Sequence, residues 1–150
     1  HLVMAGDGPL RGMVEDASID AIHMVGRLDT PDIAALLLES DLFCLPTRSE
    51  GFSTSLLEAA ACGTPSLVTD VGGARELMPD ESYGFVIPTA DADSSASIIC
   101  CILREKFDLS SMGNCLLSRG LGDVYKRQEP GRGILFLGCY GASAHQGNAA

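Results

Sequence analysis

Two carboxylates, Glu50 and Glu58, stand with seven residues between them. Ser53, Thr54 and Ser55 lie inside that interval, and all three are good helix-start residues. The first turn of a helix exposes unpaired N–H groups at its positive dipole end, a natural seat for phosphate. The body of this helix, Leu56 to Cys62, is apolar except for Glu58. A lone carboxylate on a buried-looking helix is costly unless it reaches water or a ligand. The chemistry on offer is an anion seat flanked by two strong acceptors. Ordinary helix rules offer an alternative, with Glu50 as a loop charge or dipole partner and Glu58 on an exposed helix edge. Spacing alone leaves both readings open.

The elements that must position these residues follow the chain. Leu42 to Leu45 is a short apolar run of strand type stopped by Pro46. Thr47 to Gly51 is a loop, and Gly63 with Pro65 ends the helix. Upstream, Leu2 to Ala5 reads as a strand leading into Gly-Asp-Gly-Pro, and Pro9 to Asp16 as a short, weakly amphipathic helix. Gly-Asp-Gly-Pro lacks the glycine and lysine spacing of a phosphate loop. Ile22 to Val25 is a strand, with His23 expected to be packed within it. Thr30, Pro31 and Asp32 open a helix whose apolar body is Ile33 to Leu38. Pro65 to Asp70 is a buried strand, and Gly72-Gly73 begins a turn into a short helix stopped by Pro79. That turn reads equally as a pocket wall or as a plain tight turn. Tyr83 to Pro88 holds a last strand, and Asp91 or Asp93 caps a helix running toward Lys106. Strand and helix alternate, which predicts an α/β fold: a Rossmann-like parallel sheet with helices on both faces. In such sheets ligands sit beyond the carboxyl ends of the strands. Arg27 and Leu28, just past the strand at Ile22, are therefore candidates for the pocket. A surface pair between Arg27 and Asp29 is the plain alternative.

Composition narrows the function classes. The chain has 150 residues and a net charge of −10, which argues against a nucleic-acid surface and against acidic membranes. No apolar run is long enough to span a bilayer, and no signal peptide opens the sequence. The six cysteines form no C-x-x-C pair. Cys44 and Cys62 sit in apolar runs and read as small buried hydrophobes, and a reducing, cytoplasmic setting is expected.

The wording around the two glutamates is more specific than their spacing. Glu50-Gly-Phe-Ser-Thr-Ser-Leu-Leu-Glu58 resembles the E-x7-E signature of retaining glycosyltransferases of the GT-B fold, family-4 type. Val25-Gly-Arg-Leu before it, Ser40-Asp-Leu-Phe-Cys-Leu-Pro-Thr leading into it and Glu58-Ala-Ala-Ala-Cys-Gly-Thr-Pro after it match as well. The resemblance covers roughly residues 1–90 and weakens toward 115. It implies the C-terminal, donor-binding half of such an enzyme, which transfers a sugar from a nucleoside diphosphate sugar to an acceptor hydroxyl. Glu50 is then the catalytic residue beside the donor sugar, with Gly51, Phe52 and Ser53 around that sugar. The N–H groups of Thr54 and Ser55 receive the diphosphate, Glu58 holds the ribose, and Arg27 and Leu28 lie by the base. The family is metal-independent and uses no cofactor beyond its substrate. Its basic pair for the diphosphate, and its N-terminal acceptor-binding domain, come from upstream of the segment matched here. The chain is therefore expected to be a fragment, inactive alone, with the missing N-terminal domain as its partner. Peripheral membrane association of the parent is compatible with this. Two rival readings are a non-catalytic nucleotide-sugar-binding module and a nucleotide-sugar epimerase of the same fold. Base, sugar and acceptor are not named by these residues.

The last part of the chain differs in character. Residues 119–150 hold seven of the 17 glycines and carry a charge of +2, against −12 for the first 118. Ser118-Arg-Gly-Leu-Gly-Asp-Val-Tyr-Lys-Arg-Gln resembles translated adapter read-through. The expected division is a donor-binding domain over 1–117 and a non-native or disordered tail over 118–150.

Overall fold

A computed structural model describes residues 1–88, 91–105, 107–116 and 135–138. Six parallel strands form one sheet. They are β1 (Leu2–Ala5), β2 (Ile22–Gly26), β3 (Leu42–Leu45), β4 (Ser66–Thr69), β5 (Gly84–Ile87) and β6 (Leu135–Gly138). Their order across the sheet is β2-β1-β6-β3-β4-β5. This is the doubly wound Rossmann order, 3-2-1-4-5-6, with one difference. The strand in the central place comes last in the chain instead of first. The helices are α1 (Arg11–Asp16), α2 (Thr30–Glu39), α3 (Thr54–Ala61), α4 (Ala74–Leu77), α5 (Ala92–Glu105) and α6 (Leu109–Leu116).

The two middle strands β3 and β4 are buried at every position, as parallel strands covered on both faces must be. Phe43, Leu45 and Val68 point to one face and pack with Ile33 and Leu37 of α2 and with Leu56, Ala59 and Ala60 of α3. Leu42, Cys44 and Leu67 point to the other, beside Ile87 and Ile102 of α5. Burial pushes the Cys44 thiol up to about 12, so it is a packing group with no thiolate to offer. Neither Cys44 nor Cys62 is in a disulfide.

Local chemistry explains the element ends. Asp29 caps α2 by accepting from the Asp32 N–H at 3.1 Å. The alternative of a surface pair between Arg27 and Asp29 is not seen, and no ion pair of Arg27 occurs among the described residues. Asp91 is the cap of α5, accepting from the Asp93 N–H and the Ser94 hydroxyl. Hydrogen bonding by Ser94 holds its carboxyl below the usual carboxylate range. Gly63 follows α3 with φ of +66°. Its N–H reaches Ala60 O and that of Thr64 reaches Ala59 O, a Schellman closure that favours glycine at this place.

Three expectations are corrected. The first helix begins at Arg11, not Pro9, because Gly8 O accepts from Arg11 N and Pro9-Leu10 form the turn. His23 is exposed rather than packed. It lies on the edge strand β2, where its ring meets that of His1 at 3.0 Å between nitrogens. Residues 135–138, placed by sequence in a tail outside the fold, form β6 at the centre of the sheet. The remainder of that tail, 118–134 and 139–150, and Lys106 lie outside the described residues.

Candidate functional site

The candidate site grows out of the carboxyl end of β3. Pro46 cannot donate to a ladder and ends the strand. Thr47 then folds back, its N–H to Leu45 O and its hydroxyl to Ser49 O at 3.1 Å. Thr69, at the end of β4, donates its hydroxyl to Thr47 O. The loop that carries Glu50 is thus tied to two neighbouring strand ends. Thr47 and Thr69 carry no charge, and the sequence pattern did not single them out. Their part is visible only where the two strand ends meet.

Ser53 is the N-cap of α3, and its hydroxyl accepts from the Leu56 N–H at 3.3 Å. That bond serves one first-turn donor. The N–H groups of Thr54 and Ser55 have no acceptor among the described residues. Thr54 is exposed, whereas the Ser55 side chain is buried, so Ser55 can meet a ligand only through its backbone. Glu58 follows Thr54 by four residues on α3, which puts it one turn along the same face. Both glutamates are half-buried. The structure therefore brings Glu50, Ser53, Thr54 and Glu58 around one helix start. Phe52, 49% exposed, lies at the mouth of this loop.

The glycine turn after β4 belongs to the same unit. Gly72 has φ of +53°, and a Cβ there would stand 2.0 Å from Gly51 O and 2.7 Å from Glu50 O. A Cβ on Gly73 would overlap the Phe52 ring at 2.5 Å. Gly73 also donates its N–H to Gly51 O at 3.2 Å. Of the two readings of this turn, the close approach makes it a wall behind the Glu50 loop. The crevice between them, lined by Glu50, Ser53, Thr69 and Gly73 among others, holds only about 10 Å³.

Arg27 and Leu28 follow β2, at the same carboxyl edge of the sheet as the Glu50 loop. Arg27 is exposed, and Leu28 is half-buried against the core. β2 stands three strand steps from β3, or about 14 Å at ordinary strand spacing. The structure does not bring Arg27 and Leu28 against the glutamates. They share with Glu50 only the carboxyl edge of the sheet.

Comparison with known proteins agrees with this geometry. The family model described as "Glycosyl transferases group 1" matches residues 1–105. The chain is 29% identical over 110 residues to MMP alpha-(1->4)-mannosyltransferase of Mycolicibacterium hassiacum, covering 72% of this chain and 27% of that protein. It is 33% identical over 113 residues to the phosphatidylinositol N-acetylglucosaminyltransferase gpi3 subunit of Schizosaccharomyces pombe, covering 71% and 25%. Among solved structures, sucrose-phosphate synthase from Thermosynechococcus elongatus superposes with a TM-score of 0.68 at 26% identity, over 79% of this chain and 32% of that one. Anabaena HepE in complex with UDP-glucose superposes at 0.66 with 20% identity, over 78% and 35%, a likeness of fold. The chain spans between a quarter and about a third of the length of these proteins. With the doubly wound sheet, and with Glu50 on the loop after β3 and Glu58 on the helix α3 that follows, the chain belongs to the glycosyl transferases group 1 family.

Proposed function

We propose that this chain is the donor-binding half of a retaining glycosyltransferase and holds a nucleoside diphosphate sugar across the carboxyl edge of its sheet. The observation that carries the reading is the start of α3. There, two N–H groups without an acceptor among the described residues lie, along the chain, between two half-buried carboxylates. The N–H groups of Thr54 and Ser55 receive the diphosphate. Glu58 accepts both hydroxyls of the ribose. Glu50, with the Gly51, Phe52 and Ser53 backbone, takes the donor sugar, and Glu50 is the catalytic residue. Arg27 and Leu28 meet the base on the β2 side. No metal enters this scheme: the helix terminus meets part of the phosphate charge, and the basic pair that the resemblance puts upstream of this segment would meet the rest. Transfer needs an acceptor hydroxyl held on the front face of the donor sugar. A second wall across the crevice, from an acceptor-binding domain, would supply that hold. This chain by itself is then expected to bind donor without forming glycoside.

The two glutamates have separable signatures. Glu58→Gln keeps shape and loses a charge-assisted pair of about 1.5–3 kcal/mol, on the order of tenfold to a hundredfold in affinity. The loss is expected equally with UDP and UDP-glucose, because both carry the ribose. Glu50→Gln is expected to weaken UDP-glucose and leave UDP almost unchanged. Calorimetry on both variants with both ligands is the check. Equal losses with UDP would refute the division of roles, and no loss anywhere would make both residues surface charges.

A further inference from the structure

The loop that carries Glu50 is held at two points, and both holds come from one wall. Thr47 O accepts from the Thr69 hydroxyl, and Gly51 O accepts from the Gly73 N–H at 3.2 Å. These two carbonyls bracket Arg48, Ser49 and Glu50. Thr47 also closes on Ser49, donating its hydroxyl to Ser49 O at 3.1 Å. Whatever holds Thr47 therefore sets the backbone immediately before Glu50. The wall is anchored in the sheet. Thr69 is 2% exposed at the end of β4. It stands in register with Ile87 of β5, and the next N–H, that of Asp70, donates to Ile87 O at 2.8 Å. The space between wall and loop, about 10 Å³, has room for about one water at most, so the loop lies close against the wall. The start of α3 is held differently. Ser53 caps it, and Leu56, Ala59 and Ala60 seat the helix in the core.

We propose that Thr69 is a positioning residue for Glu50: through Thr47 O, its buried hydroxyl fixes where the Glu50 carboxylate meets the donor sugar. This deepens the donor-site reading above and rests on it. Thr69 touches no part of the donor in this scheme and acts only through the loop. The Gly73 N–H is a second tether, so loss of the Thr69 hydroxyl shifts the loop without releasing it. The diphosphate and ribose belong to α3, whose cap and core contacts do not pass through Thr69. The effect is therefore confined to the sugar.

Calorimetry on the full chain, with UDP and UDP-glucose as probes, tests this on the native protein, Thr69→Val, Glu50→Gln and the double variant. Thr69→Val keeps shape and removes the donor. It is expected to lower UDP-glucose affinity about threefold to tenfold, the range of one neutral hydrogen bond, and to change UDP affinity by less than about twofold. Thr69→Ser keeps the hydroxyl and is expected to bind both probes as the native chain does. If Thr69 acts through Glu50, the double variant binds UDP-glucose no worse than Glu50→Gln alone, because the two residues act as one unit. Equal losses with UDP and UDP-glucose in Thr69→Val, no loss with UDP-glucose, or additive losses in the double variant would overturn the proposal. A normal Glu50→Gln effect beside a silent Thr69→Val sinks this proposal alone. A Glu50→Gln variant that binds UDP-glucose like the native chain sinks the donor-site reading and this proposal with it. If Thr69→Val does not fold, Thr69→Cys, which offers only a weak donor, runs the same comparison.

Discussion

At the scale of residues, the Glu50 loop is shaped as much by what is absent as by what is present. Gly72 has no side chain, and Gly51 O and Glu50 O occupy the space a Cβ would need. Its φ of +53° adds a left-handed penalty of about 1–2 kcal/mol for any other residue. Gly72→Ala is therefore expected to destabilise the fold by at least that amount and to push the Glu50 loop away from β4. If Glu50 holds the donor sugar, UDP-glucose affinity falls more than UDP affinity. A melt with two calorimetric titrations measures this, and an alanine variant with native melting and native affinity would show that the turn tolerates a side chain. Cys44 illustrates the opposite case. It is a residue of reactive type held inert by burial, on a strand where every side chain is covered.

At the scale of elements, both ends of α3 are capped by residues close in sequence. Ser53 caps the start, and the Gly63 closure ends it. One further contact ties this helix to its neighbour. The Thr64 hydroxyl donates to Leu37 O at 2.8 Å, fully buried at the end of α2. Leu37 O also accepts from the Ser40 N–H at 3.1 Å, so Thr64→Val conserves shape and removes one of two donors, a change expected to cost about 0.5–1.5 kcal/mol. Chemical denaturation with an unchanged m value is the measurement. A valine variant as stable as the native chain would mean that the Ser40 N–H alone satisfies Leu37 O. The Ser53 cap, the Asp91 cap and the glycine after α3 were legible in sequence because each acts within five residues. The paired Thr47 and Thr69 were not, since they are 22 residues apart and meet only when β3 and β4 align.

At the scale of the whole molecule, the sheet is one continuous surface only with β6 in place. Deleting residues 118–150 is expected to be costly, against the reading of that stretch as a tail outside the fold. At this chain length each kcal/mol shifts Tm by about 2–8 °C, so a drop of several degrees is expected against the full chain. A truncated chain that melts with the native Tm and cooperativity would return the segment to a passive role. No helix among the described residues is long and apolar enough to cross a membrane.

What the sequence by itself determined was local or repeated. The apolar run of β3, the capped start of α3, the two glutamates one helix start apart and the strand-helix alternation each depend on neighbours along the chain. So the Rossmann-like class, the loop that carries Glu50 and the helix that carries Glu58 were readable before any coordinates. Tertiary structure decided what depends on residues far apart. It set Gly72 against Gly51, left His23 exposed on an edge strand, and turned Asp29 to its helix rather than to Arg27. It also put Leu135–Gly138 between β1 and β3. A four-residue apolar run fits many places in a sheet. Only the pair of open edges on β1 and β3, one strand apart, selects this one, because buried backbone groups must be paired.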